Sequence, residues 1–139
     1  MKKLVLLLSV VFLSASTLMA QKKAEEMVKF KEMTYNFGKI KQGVPVTHDF
    51  EFTNISGEAV VIESASASCG CTTPSWPKAP VMKEKADKIT AGFNAAASGS
   101  FNKDITIRIA GASAPIQLKI TGEVLNADEY AKYEKTKGN

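Results

Sequence analysis

From Val28 onward the chain carries apolar side chains at every second position, in short runs separated by Gly, Asn, Ser and Pro. The two clearest runs lie near the end. Phe101, Ile105, Ile107 and Ile109 alternate with Asn102, Asp104, Thr106 and Arg108. Lys103 interrupts the apolar set close to the start of its run, where a long stem can carry the charge to water. After "AGASAP", Ile116, Leu118, Ile120, Gly122 and Val124 alternate with Gln117, Lys119, Thr121 and Glu123. A period of two puts one set on a buried face and the other in water, which predicts antiparallel strands. Earlier runs read the same way. Val44, Val46, His48, Phe50 and Phe52 share one parity, "NISGE" is a turn, "AVVIESASAS" follows, and Ile89, Ala91 and Phe93 precede "AAASGS". With "MVKFKEMTYNFG" at the front, about six or seven strands are predicted, at the spacing of an all-β sandwich of Greek-key type. Only "NADEYAKYEK", Asn126 to Lys135, has the makings of a short helix, with Asn126 as its cap.

The first 20 residues follow a different pattern. Lys2 and Lys3 form a basic head, Leu4 to Leu13 is almost wholly apolar, and the stretch to Ala20 turns small and polar. That is the form of a secretory signal peptide, and its apolar core is shorter than the roughly 20 residues of a membrane span. The expected organisation is a signal peptide at 1–20, cleaved after Ala20, and a polar leader at 21–27. A sandwich at 28–125 and a polar C-terminal tail at 126–139 complete it. Leu18 is bulkier than the small residue usual at its distance from a cleavage site. The expected location is exported, periplasmic or secreted, with no permanent membrane span after cleavage. Losing Lys2 and Lys3 leaves 16 basic and 14 acidic residues, scattered and mixed. With one arginine and no basic cluster interleaved with aromatics, nucleic-acid binding finds no support.

"YNFGKIKQGVPVTHDFEFTNISGEAVVIESASASCGCTTPSWP", Tyr35 to Pro77, resembles the bacterial family known as domain of unknown function 1573. The landmarks are the aromatic-glycine turn Phe37-Gly38, the strand His48 to Asn54, "CGCT" at Cys69 to Thr72, and "ITGEV" at Ile120 to Val124. The resemblance implies an exported immunoglobulin-like β-sandwich and carries no activity with it. Where the family has a Pro-Gly-Glu-like turn, this chain has "MKEKAD", Met82 to Asp87.

Catalytic signatures are absent from the sequence. Gly111-Ala112-Ser113-Ala114-Pro115 has proline where a nucleophile elbow needs its second glycine, and it occupies a predicted β-turn. His48 is the one histidine, and its parity with Phe50 and Phe52 makes it a partly buried side chain expected to use a backbone partner. No catalytic residue and no cofactor are therefore expected.

Candidate chemistry concentrates in "SASCGCTTPSWPKAP". Side chains at i and i+2 of an extended strand share a face about 6.5–7 Å apart, too far for a disulfide, so a Cys69–Cys71 bridge requires a bend. Gly70 could permit one. Such a bridge closes three residues, and the chain-entropy relation then allows only about 1.6 kcal/mol. Three readings stay open: small buried side chains, a turn-located disulfide, or a pair that binds a soft metal such as Cu(I) or exchanges thiols. Cys69, Cys71 and His48 are the residues a metal would have to use. Pro74, Trp76 and Pro77 form either a presented interaction loop or a stiff crossover covering one end of the sandwich. Asn54-Ile55-Ser56 fits a glycosylation sequon and equally a hairpin turn. The leading expectation is a non-catalytic exported module whose partner is a protein or a cell-envelope component. The alternative is a copper-binding or thiol-redox protein built on Cys69-Gly70-Cys71.

Overall fold

The computed structural model describes residues 21–138, so the expected signal peptide lies outside the described residues. In chain order the elements are α1 (Ala24–Met27), β1 (Val28–Phe30), β2 (Thr34–Lys41), β3 (Val46–Asn54) and β4 (Ile62–Ala67). They continue with β5 (Thr72–Ser75), β6 (Ala86–Phe93), β7 (Gly99–Ile109), β8 (Ile116–Leu125) and α2 (Ala127–Lys137). Two four-stranded sheets face each other, in the orders β1-β3-β6-β5 and β2-β8-β7-β4. This is the strand arrangement of an immunoglobulin-like sandwich, as the resemblance implies.

The expected six or seven strands become eight, because the front run divides between the sheets as β1 and β2 and because β5 forms where the sequence suggests a loop or crossover. β1 pairs with β3 in one sheet, and β2 pairs with β8 in the other. The chain crosses between sheets over residues 31–33 without a hairpin reversal, and β2 runs parallel to β8, with Thr34 opposite Lys119 and Ile40 opposite Val124. The remaining strand pairs are antiparallel, as expected.

Alternation fixes which face is buried. Phe50 and Phe52 of β3, Ile89, Ala91 and Phe93 of β6, Ile105, Ile107 and Ile109 of β7, and Ile116, Leu118 and Ile120 of β8 form the core. Fully burying one large apolar side chain contributes about 1.5–3 kcal/mol. A one-residue slip would turn a whole set outward, so register is strongly specified.

Two local features depart from the sequence expectation. The polar leader is built into the domain: Lys22 bridges Ala112, and Ala24 and Met27 are buried. Two apolar residues three apart suffice to seat one helical turn, but they are too few to show as a period. Phe37-Gly38, expected as a turn, is instead an irregularity inside β2, where the register with β8 shifts between Asn36 and Lys39. Gly38 takes φ +67°, and its N–H donates to Asn36 Oδ1 at 2.8 Å. This kinked backbone presses on β8, because a Cβ on Gly122 would lie 2.9 Å from the Gly38 carbonyl oxygen and 2.7 Å from the Phe101 ring. Gly122 is thus the one residue that lets β2 and the Phe101 ring close over β8.

At the C-terminus, α2 begins at the expected cap. Asn126 Oδ1 accepts the Glu129 N–H, and Glu129 returns a carboxylate to the Asn126 N–H, a capping box. No helix of the described residues is long and apolar enough to cross a membrane.

Candidate functional site

Cys69 and Cys71 lie where the chain passes from β4, at the edge of one sheet, to β5, at the edge of the other. Here they form a disulfide, with Cα atoms 5.3 Å apart, closer than an extended i, i+2 pair. The bend is a turn in which the Thr72 N–H donates to the Cys69 carbonyl at 3.3 Å. Its far side is tied to the first sheet, the Asn94 N–H donating to the Cys71 carbonyl at 3.0 Å. Gly70, expected to enable the bend by its conformational freedom, does not use it. It is not in the left-handed region, and a Cβ on it would meet nothing within 4 Å. What surrounds that position is open space.

Both cysteines are half-buried, whereas Thr72 behind them is buried. The Thr72 Oγ1 stands 3.8 Å from Cys69 Sγ and 3.9 Å from Cys71 Sγ, and these are its hydrogen-bond partners among the described residues. Beside Cys71 opens a concavity of about 190 Å³, lined by Phe93, Phe101, Lys103 and the Asn94–Ser100 connection. Lys103, the charge that broke the β7 alternation, is therefore on the wall of this hollow.

An aromatic row runs from the hollow to His48. Phe93 stacks on Phe101 at 4.1 Å between centroids, and Phe101 meets Phe37 at 6.4 Å. Phe37 packs edge-on to Tyr35 at 4.9 Å, and Tyr35 stacks on His48 at 3.5 Å. His48 Nε2 lies 2.9 Å from Glu32 Oε1, so its partner is a carboxylate from the β1–β2 crossover and not the expected backbone group. Pattern could place the ring inward but could not reveal a partner 16 residues away across a change of sheet. His48 thereby ties β3 to the segment that joins the sheets. Next to it, Asp49 accepts from Lys88 Nζ and Thr90 Oγ1, each at 2.6 Å, which holds its carboxyl below the ordinary aspartate range. Among the described residues no three His, Cys, Asp or Glu side chains converge as a metal would need, so His48 is not joined to the cysteine pair in a metal-sized cluster.

Trp76 follows the corner. It packs partly buried against the core, and Lys78 Nζ sits 3.0 Å from its ring centroid. Pro74 is incorporated into β5, opposite Ala91. Because the Asn94-to-Cys71 bond makes alternate residues of this ladder face β6, position 74 points its nitrogen to the open edge, where a missing N–H costs nothing.

The opposite end of β4 holds a polar centre where the sequence pattern predicts a turn. Asn54 is fully buried. Its Nδ2 donates to the carbonyls of Glu58 and Val81, both at 2.8 Å. Its Oδ1 accepts from the Ser56 N–H at 2.9 Å and the Ser56 hydroxyl at 2.8 Å. The amide nitrogen of the sequon is consequently committed inside the fold. The "MKEKAD" turn packs here too: the Glu84 N–H donates to the Asn54 carbonyl at 3.0 Å while Glu84 holds φ +64°.

Several solved structures share the fold. A PapD-like domain of human CEP192 superposes with TM-score 0.60 at 11% identity, covering 73% of this chain and 87% of that one. A protein of unknown function from Porphyromonas gingivalis W83 gives 0.63 at 13% identity, covering 77% of this chain and 50% of that chain. The Vibrio cholerae VesB protease gives 0.55 at 15% identity, over 73% of this chain and 33% of the protease. At these identities the likeness is one of fold. No curated protein matches the chain. Residues 28–124 match the family profile described as "Protein of unknown function (DUF1573)", and with the landmark residues now placed in one sandwich, the chain belongs to that family.

Proposed function

We propose that the domain is a non-catalytic binding module, exported from the cytoplasm, that holds a protein or cell-envelope component against the flank formed by β4 and β5. The carrying observation is that these two strands are the edges of their sheets on the same side of the crossover. The open edge of β4 can offer N–H and C=O groups to an added strand, while β5, with Pro74 on its open edge and the Thr72 N–H already used, adds carbonyls and side chains beside it. Asn54 and the half-buried His48 serve architecture: Asn54 organises a loop, and His48 ties a crossover. The likeness to a portion of much longer chains supports the reading of an attachable module. Export rests on the tripartite N-terminal sequence.

Site-specific photo-crosslinkers at Ser64, Ser66, Thr73 and Ser75, in the native cell, test the proposal. One discrete adduct from these positions, absent with the crosslinker at Lys29 on β1, is the expected result. Equal labelling from both flanks would sink the reading. Recovery of the chain in the cytosolic fraction, still carrying residues 1–20, would sink the export assignment.

A further inference from the structure

We infer that the Cys69–Cys71 disulfide is a thiol–disulfide exchange site for a partner thiol or dithiol. The inference goes beyond the docking reading and does not rest on it. Four observations converge. The disulfide closes a ring of only three residues, so the folded chain gains little from keeping it closed. The ring is half-exposed, and position 70 between the cysteines is an exposed glycine with open space where a Cβ would be. The hollow beside Cys71 has an apolar floor, Phe93 and Phe101, and one cation, Lys103. Behind the sulfurs, the buried Thr72 hydroxyl has the sulfurs alone as hydrogen-bond partners among the described residues. A disulfide sulfur is a poor acceptor, whereas a thiolate is a strong one, so this hydroxyl is best satisfied once the bond opens.

The chemistry follows from that placement. A partner thiolate enters the hollow, drawn by the Lys103 ammonium, and attacks Cys71 Sγ. A bond forms between the partner sulfur and Cys71, the Cys69–Cys71 bond breaks, and Cys69 leaves as a thiolate that accepts from the Thr72 hydroxyl and then takes a proton from solvent. With a dithiol partner, its second thiolate attacks the partner sulfur of the mixed disulfide. Cys71 then leaves as a thiolate and is protonated. The partner loses two electrons and two protons, and the cysteine pair gains both. Run backwards, the reduced pair opens a partner disulfide.

The test uses the mature chain from Gln21 in native buffer, with mercaptoacetate and cysteamine as anionic and cationic monothiol probes. Free thiols are alkylated and counted by mass. Reduction is expected while circular dichroism stays native, and the trapped mixed disulfide should map to Cys71. Thr72→Val should slow opening roughly tenfold, the loss of one charge-assisted hydrogen bond, and Thr72→Ser should restore it. Lys103→Glu should lower the mercaptoacetate-to-cysteamine rate ratio by roughly fivefold or more through reversed local charge. These kinetic effects are to appear at unchanged urea midpoint, which a merely structural Thr72 or Lys103 would not give. A disulfide that opens only in step with unfolding overturns the inference, as does probe attachment at Cys69 or a Thr72→Val rate equal to wild type.

Discussion

The two ends of β4 solve the same problem with different chemistry. Both must turn the chain between sheets, and both do so with short polar sequences, "NISGE" and "SCGCT". At the first, Asn54 is buried and each polar atom of its amide carries two hydrogen bonds. At the second, a covalent bond closes a half-exposed ring whose backbone is already fixed by two hydrogen bonds. The lesson is that the covalent corner is the weaker structural element. Removing the Asn54 amide takes away four hydrogen bonds from one loop, although each group it holds keeps another partner. The disulfide, in contrast, removes only the small freedom of a three-residue loop.

Replacing Asn54 offers the largest test of that contrast. Asn54→Ala is expected to destabilise by about 2–4 kcal/mol, because its four hydrogen bonds, to the Glu58 and Val81 carbonyls and to the Ser56 N–H and hydroxyl, are lost together. Urea denaturation with an unchanged slope is the measurement, and a loss below that of the disulfide would reverse the comparison. Second comes the paired change Cys69→Ser and Cys71→Ser. Its expected cost is at most about 1.6 kcal/mol in the same assay.

A surface ion pair marks the scale below both corners. Asp49→Asn should destabilise less than removing the disulfide, since Asp49 and Lys88 are both substantially exposed. Its pH signature has a definite sign. The Lys88 hydrogen bond, with that of Thr90, lowers the folded-state Asp49 pKa, so its contribution is fully present above the ordinary aspartate value, about 3.9, and is lost as pH falls through the folded value. Lys88, raised by Asp49, contributes below the ordinary lysine value, about 10.4, and loses that contribution as pH rises through its folded value. Titrating the urea midpoint of wild type against Asp49→Asn should show the difference closing at the acid end. Smallest of all is Gly70→Ala, expected within about 0.5 kcal/mol of wild type because its added methyl meets nothing. A large loss there would restore glycine as the cause of the bend.

How much of this was legible depended on whether the information was periodic or spatial. β7 and β8 could be read because Ile105, Ile107, Ile116 and Leu118 alternate against polar neighbours, and α2 because Asn126 and Glu129 sit at capping-box spacing. The inward face of His48 followed from its parity with Phe50 and Phe52. Its Glu32 partner did not, since that contact spans a change of sheet. β5 was concealed by Pro74, which a strand tolerates only at an edge, and edges are a property of topology. The cysteine spacing required a bend but not its oxidation state, and the hollow beside Cys71 draws on β6, β7 and their connection together. Phe37-Gly38 looked like a turn because a glycine with left-handed φ serves a bulge as well as a reversal.

The parallel pairing of β2 with β8 has a temporal consequence. Thr34 waits for Lys119 and Ile40 for Val124, so an early strand of the domain cannot complete its sheet until the last strand has emerged. Contacts of such sequence separation fold slowly, because the intervening chain must be ordered before they form. A polypeptide delivered from its N-terminus thus keeps Ile40 and the β8-facing edge of β2 unsatisfied throughout synthesis, and closes only when Leu125 arrives opposite Lys41. A chain built this way stays open for as long as it is being threaded, the state that the proposed export would require.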